Sequence, residues 1–393
     1  MMTITNTEWN IPHCTGCSAC ASSCPKEALT MEPDALGFLR PRLIPEQCVD
    51  CHRCEQACPV LHPPKGSSAA GTVAAHAQDE ALLEQCSSGG VFPLLAKEVL
   101  SRGGVVYGAS FDEDFHVQHI RVDAAQDLPR LYGSKYVQSN LRDSFRQAKS
   151  DLNDGRPVYF SGTPCQIAGF KSFLGRDYDH LMTQDLVCHS VPAPEIWQSY
   201  KQQLESQQQS RLTFFSFRRK TSIREQYNLY GEFKNGTIVE LPSRTDPYMQ
   251  GFIKGLYSRE SCYHCPFKGF SRCSDLTLGD FWGAHSILPE AYHPKGTSVA
   301  LLHTEKAKRL LESVCLNTHA LSPEAAFLFN PAVLKSTAKP KHYEFFHAHR
   351  STTDFSQLVA HCCKSTFREK MQKWWNQSLP YRFFCKIRRL ITD

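Results

Sequence analysis

Several features that would assign this chain quickly are missing from it. No apolar run among its 393 residues approaches the ~20 residues that cross a bilayer. The opening stretch MMTITNTEWNIPHC has no basic segment followed by an apolar one, so no secretory signal is expected. No G-x-G-x-x-G follows a predicted strand, so an ordinary dinucleotide-binding βαβ unit is not indicated. Charge of one sign is not in large excess. Lys and Arg number 44 against 39 Asp and Glu, and the net +5 is too small to point to nucleic acid. Disorder is not indicated either, because 41% of residues are hydrophobic and 21% charged, an ordinary globular balance.

Cysteine, in contrast, is abundant, with eighteen in all. Eight form two copies of one pattern, C-x2-C-x2-C-x3-C-P. The first is Cys14, Cys17, Cys20, Cys24 and Pro25. The second is Cys48, Cys51, Cys54, Cys58 and Pro59. This is the bacterial ferredoxin signature for paired 4Fe-4S clusters, in which the fourth cysteine of each run serves the other cluster. The expected ligand sets are therefore Cys14, Cys17, Cys20 and Cys58, and Cys48, Cys51, Cys54 and Cys24. Zinc also binds C-x2-C pairs, but it has no need of two copies of a four-cysteine run. Cysteines grouped as metal thiolates point to a reducing cytoplasm rather than to secreted disulfides.

The chain divides by texture. Residues 1–63 read as the duplicated ferredoxin-like unit, with ALTMEP and FLRPRLIP forming a hairpin across Gly37. HPPKGSSAAG is a linker. From Thr72 short strand-like runs alternate with helical stretches, as in TVAAHA, SGGVFPLLAKEVLSRG, GVVYGASF, PVYFSG, QIAGFKSFL and LMTQDLVCH. That alternation predicts a larger α/β domain with a parallel or mixed sheet, its first part spanning 72–160 and its second 161–341. Within it FFSFRRK, YNLYGEF and TIVELP read as an antiparallel meander. Residues 342–393 read as a helical, increasingly basic tail. The fold class is thus α+β / α/β: a small ferredoxin-like domain, then a larger mixed domain, then the tail.

A second cysteine group lies downstream. Cys262 and Cys265 form CYHC, with Cys273 eight residues on; Cys165 follows one predicted strand and Cys188 another. Loops after adjacent strands are able to bring these together as a third cluster site, although Cys165 and Cys188 also suit ordinary buried thiols. Ser87-Ser88-Gly89-Gly90 precedes an apolar helix, whose start exposes N–H groups suited to a phosphate, or else is a plain cap.

Together SSGGVF, YGSKYVQS, SGTPCQIAGF, DLVCHSVPAP, CYHCPFK and SDLTLGDFWG resemble the beta-subunit family of the coenzyme F420 (deazaflavin) hydrogenases and dehydrogenases. That family includes plant 7-hydroxymethyl chlorophyll a reductase and bacterial members with a fused ferredoxin. The resemblance covers residues 1 to about 340 and implies an FAD-containing iron–sulfur oxidoreductase. It makes Ser87, Ser88, Gly89, Gly90, Ser134, Lys135, Tyr136, Gly162 and Thr163 the flavin-contact candidates. It also implies that Cys165, Cys188, Cys262 and Cys265 hold the additional cluster, that Cys273 is spare, and that Asp280 and Trp282 close the site. Cys86 stands where the family has serine and Ser190 where it has glycine.

The physical logic is consistent with this. Clusters carry single electrons, whereas a flavin accepts them singly and delivers a hydride. Three side chains are candidates for the chemistry. Lys135 would stabilise charge on a reduced flavin, Tyr136 would donate a proton and His189 would relay one, against the alternatives of a surface lysine, a packed aromatic and a structural histidine. The expected partners are a ferredoxin or other redox protein and a small organic substrate or soluble cofactor. Fused forms of this kind often accompany surface-polysaccharide biosynthesis, which implies a sugar-linked redox step. The rival readings are an electron-transfer subunit of a larger dehydrogenase or hydrogenase complex without its own substrate, and a binding module with structural clusters. The tail interleaves Lys and Arg with Trp374, Trp375, Tyr381, Phe383 and Phe384, a pattern for an interfacial helix at the inner membrane face or a helix packed on the body, interrupted by Pro380. Cys362, Cys363 and Cys385 have no ligand spacing and read as free thiols.

Overall fold

The computed structural model describes residues 13–220 and 227–364. Two short strands, β1 (Leu29–Pro33) and β2 (Leu39–Leu43), form the expected antiparallel hairpin between the two cysteine runs. The turn closes on Gly37 at a φ of 83°, with Asp34 Oδ1 accepting from the N–H groups of Leu36 and Phe38.

The main body is an eight-stranded mixed sheet. Its strands are β3 (Gly71–Ala77), β4 (Val105–Phe111), β5 (Val117–Val122), β6 (Val158–Ser161), β7 (Leu181–Leu186), β11 (Leu276–Asp280), β12 (Ser298–Leu302) and β13 (Leu316–Ala320). The order is β13-β3-β12-β11-β7-β6-β4-β5. The central β4, β6, β7 and β11 pair in parallel, and the flanking pairs are antiparallel. Residues from both expected parts of the larger domain therefore share one sheet.

The central strands read as apolar runs because both faces are covered. Val106, Tyr159 and Met182 face the helix Val91–Ser101, while Val105, Tyr107, Val158, Phe160 and Leu181 face Phe145 and Phe170 of two other helices. Alternate residues of a strand point to opposite faces, so neighbours such as Val105 and Val106 join different cores.

The meander forms a separate sheet of β8 (Leu212–Lys220), β9 (Tyr227–Phe233) and β10 (Ile238–Pro242). It packs on the helix Pro194–Gln208 through a cluster centred on fully buried Trp197, whose indole N–H donates to Phe115 O at 2.7 Å. The helices Tyr343–His349 and Phe355–Cys362 close this cluster, with Cys362 and Cys363 as free buried thiols. Cys385 and the aromatic residues of the basic tail lie outside the described residues.

The ferredoxin-like unit is docked tightly. Cys17 and Ala19 belong to the same core as Phe160 and Phe170 of the body. Arg146 donates to the carbonyls of Ala21, Ser22 and Cys24, and Arg350 to those of Ala35 and Leu36. Gln138 exchanges two hydrogen bonds with the backbone of Leu39. Among the described residues no helix is long and apolar enough to cross a membrane.

Candidate redox centres and cofactor cleft

The cysteines fall into three groups. In the first, the thiols of Cys14, Cys17 and Cys58 all raise the pKa of Cys20 by repulsion, on top of the larger effect of burial. Burial likewise pushes the Cys17 thiol up to about 12. In the second, Cys24, Cys48, Cys51 and Cys54 line a cavity of about 420 Å³, together with Val49 and His52. Cys51 is exposed there. Both groups mix cysteines from the two runs, as the crossed ligand pattern requires.

The third group forms at the carboxyl ends of parallel strands. β6 and β7 pair with Ser161 opposite Gln184, so the loops that follow leave the sheet side by side. Cys165 sits near the start of the helix Pro164–Leu174 and Cys188 just past β7. The short helix Glu260–His264 and the residue after it bring Cys262 and Cys265 to the same place. All four line one pocket with Thr15, His189, Arg259, Lys268 and Arg272. Cys273 is not in that lining; it packs beside the core of Phe160 and Phe170. Burial raises the Cys188 thiol strongly, and it pushes Cys262 up to about 11 against the opposing charge of Arg259. Such thiols ionise readily only with a metal bound.

Among the described residues no three His, Cys, Asp or Glu side chains converge closely enough to hold a single metal ion. The cysteines of the second and third groups line pockets. Three buried or half-buried cations stand at the third pocket, and these would offset the negative charge of a thiolate-ligated cluster. Lys268 donates to the carbonyls of Cys188 and Ala332. Arg272 is held by the carbonyls of Phe267 and Gly269 and lies 3.8 Å from Asp185. Neither was singled out in the sequence. The signal for Lys268 was its place three residues after Cys265; Arg272 had none.

The remaining candidates gather in two places. Ser87 Oγ accepts from the N–H and hydroxyl of Ser134 at 2.9 and 3.1 Å. Ser88 donates to Thr297 O and accepts from Ser298, whose Oγ also accepts from Gly89 N–H. Gly89 needs to be glycine, since a Cβ there would sit 2.7 Å from Ser298 N. Gly90 turns the chain into the next helix at a φ of 73°. Beside this turn is a cleft lined by Ser88, Lys220, Tyr227, Asp280, Trp282 and Lys295. Lys220 donates to the carbonyls of Leu83 and Ser88. Asp280 forms a 2.6 Å ion pair with half-buried Arg218, whose guanidinium lies 4.0 Å over the Tyr227 ring. Trp282 donates to the same carboxylate and stays 44% exposed. Cys86 is buried close by, its thiol pushed up to about 11 by burial.

Tyr136 stacks on Phe252 at 4.6 Å, and burial raises its phenol; the Arg218 charge opposes that shift. Lys135 donates to the carbonyls of Arg130 and Tyr132, and burial pushes its ammonium down to about 7. Gly162 ends the loop before Thr163, which makes a capping box with Gln166 and lies 3.2 Å from Cys165 Sγ. His189 lines the third cysteine pocket, its Nε2 buried without a hydrogen-bond partner among the described residues. Arg218 and Lys220 were missed in the sequence. They lie two apart on β8 and so share a face, a pattern that alternation alone does not distinguish from a solvated strand.

The fold and these sites define an iron–sulfur protein of oxidoreductase type. Residues 13–61 match the model of the 4Fe-4S dicluster domain. Residues 155–323 match the model of the C-terminal part of the coenzyme F420 hydrogenase/dehydrogenase beta subunit. The chain thus carries a segment of the dicluster ferredoxin type at its N-terminal side and, in its body, a segment similar to the C-terminal part of this beta subunit. A chain of the xenon-derivatized F420-reducing NiFe hydrogenase complex from Methanosarcina barkeri is similar at 14% identity and a TM-score of 0.45, over 77% of this chain and 92% of that one. No protein of curated function matches.

Proposed function

We propose that this chain is an iron–sulfur flavoprotein oxidoreductase. Electrons from a ferredoxin-type partner pass through two clusters of the N-terminal unit and a third in the body to FAD, or in the reverse direction. The observation that carries this reading is the contact between the first and third cysteine groups. A Cβ at Gly169 would lie 2.8 Å from Cys17 Sγ, and Gly169 is on the helix that holds Cys165. The Cys17 thiol also feels the charge of Cys165 as well as those of Cys14 and Cys58. The second group, with Cys51 at the surface, then faces a partner protein.

Cys14, Cys17, Cys20 and Cys58 would hold one cluster, Cys24, Cys48, Cys51 and Cys54 the next, and Cys165, Cys188, Cys262 and Cys265 the third. We place FAD at the cleft beside Ser88, where Lys220 offers positive charge and Trp282 an exposed aromatic face. When bound, a flavin converts single electrons into a hydride for a small organic substrate or soluble cofactor. Ser88 and Gly89 hold the turn in place through Ser298, and Arg218 fixes Asp280 at the cleft wall through their 2.6 Å ion pair.

The test is iron, sulfide and flavin per polypeptide after anaerobic purification. About twelve iron atoms and one FAD are expected. About eight iron atoms and no flavin would leave a ferredoxin attached to a binding domain and overturn the reading.

A further inference from the structure

Between the first and third cysteine groups stands one side chain that neither the ligand sets nor the docking contacts use. Arg259 is 3% exposed, and its Nε and Nη2 are buried without a hydrogen-bond partner among the described residues. An arginine in that state is costly, because two of its nitrogens have left water without a hydrogen bond among the described residues to replace it. Its position is well determined. Its backbone N–H donates to Val191 O at 3.1 Å, just past Cys188, and it caps the short helix that carries Cys262. Its guanidinium lies 5.2 Å over the Phe38 ring of the ferredoxin hairpin.

The far end of the side chain meets the other cysteine group. Gly16 lies between Cys14 and Cys17 with a φ of 61°, and a Cβ there would sit 2.9 Å from both Nη1 and Nη2 of Arg259. The same arginine lines the pocket of Cys165, Cys188, Cys262 and Cys265. Thr15 lines that pocket too, and its hydroxyl is likewise buried and without a partner among the described residues. One buried cation, two of its nitrogens without a hydrogen-bond partner among the described residues, therefore touches the backbone of one cysteine run and borders the cavity of the third group.

We infer that Arg259 is the shared counter-charge of the first and third clusters and raises the reduction potential of both. This rests on the three-cluster reading above. Each cluster gains negative charge on reduction, and a fixed cation in a low-dielectric site favours that reduced state. Serving both clusters, the cation evens out the potential along the transfer step between them. The pattern of small residues facing it, Gly16 and Thr15, leaves room for the planar guanidinium and for no further side chain.

The test is an EPR-monitored anaerobic redox titration of the holoprotein with wild type, Arg259→Gln and Arg259→Lys. In Arg259→Gln the reduction of the first and third clusters becomes at least tenfold less favourable, a shift of about 59 mV for one electron. The distal cluster of Cys24, Cys48, Cys51 and Cys54 stays unmoved, and Arg259→Lys recovers most of the loss. Loss of third-cluster iron in the Gln variant with recovery in the Lys variant supports the same role. Unmoved midpoints at full iron content, equal shifts of all three clusters, or iron loss in both variants would each overturn it. Wild-type iron near eight atoms per chain would instead overturn the three-cluster reading itself.

Discussion

The second and third cysteine groups differ in almost every respect. The second draws three of its members, Cys48, Cys51 and Cys54, from one short segment, opens to solvent at Cys51, and is lined by charges of both signs, Lys26, Asp50 and Glu55. The third gathers Cys165, Cys188, Cys262 and Cys265 from three separated loops and surrounds them with Arg259, Lys268 and Arg272. A local motif assembles its pocket wherever the chain folds at all, and solvent can balance the charge of an exposed cluster. A site assembled from distant loops depends on the sheet to bring them together, and its burial obliges the protein to supply the balancing cations.

The strongest way to break this comparison is to remove one thiol from each group. Cys262→Ser is expected to lose the third cluster alone, taking iron from about twelve to about eight atoms while the ferredoxin-type EPR signals remain. Cys51→Ser is expected to damage the N-terminal unit and leave the third cluster's signal in place. A Cys262→Ser protein with unchanged iron content would remove the third group from the ligand sets.

The next effect concerns the seam between the regions. Gly169→Val forces a side chain against Cys17, and overpacking of this kind costs about 1–3 kcal/mol. The expected result is a lower melting temperature and slower electron passage from the ferredoxin unit into the body by stopped-flow absorbance. A variant that melts lower yet transfers at the wild-type rate would separate docking from conduction.

Chelator challenge sharpens the contrast in exposure. With a strong iron chelator under air, the distal cluster is expected to bleach first and the third last, in two resolvable phases. A single phase would mean that the three sites open together.

The smallest effect comes from Lys135. Burial holds its ammonium at about 7 instead of 10.5. Between these values the unfolded chain binds the extra proton, so stability rises with pH there. The contribution is complete above 10.5, is lost as pH falls to about 7, and is flat below. Lys135→Met should flatten the rise in melting temperature between pH 7 and 10; a parallel rise in both proteins would mean that another group carries it.

Much of this was legible before any coordinates. The hairpin across Gly37, the alternation that became β4, β6 and β7, and the meander of β8 to β10 follow from turn residues and period-two patterning, which act over a few residues. The two cysteine runs were legible for the same reason. Grouping Cys165, Cys188, Cys262 and Cys265 took a family resemblance, because their spacing alone left an ordinary buried thiol as good a reading for two of them. Thr163, expected beside the flavin, is also the N-cap of the helix of Cys165, a role set by the tertiary context of that helix. Arg218, Lys220, Arg259 and Arg272 could not be picked out from the other lysines and arginines in the sequence.

By itself, then, the sequence determined that this protein holds iron–sulfur clusters, since eight thiols at fixed short spacing carry that information within two segments of eleven residues each. Only the tertiary structure decided which cysteines face solvent, which meet Cys17 across Gly169, and which cations are buried among them. Burial and long-range proximity are properties of the packed sheet and helices, and no local spacing encodes them.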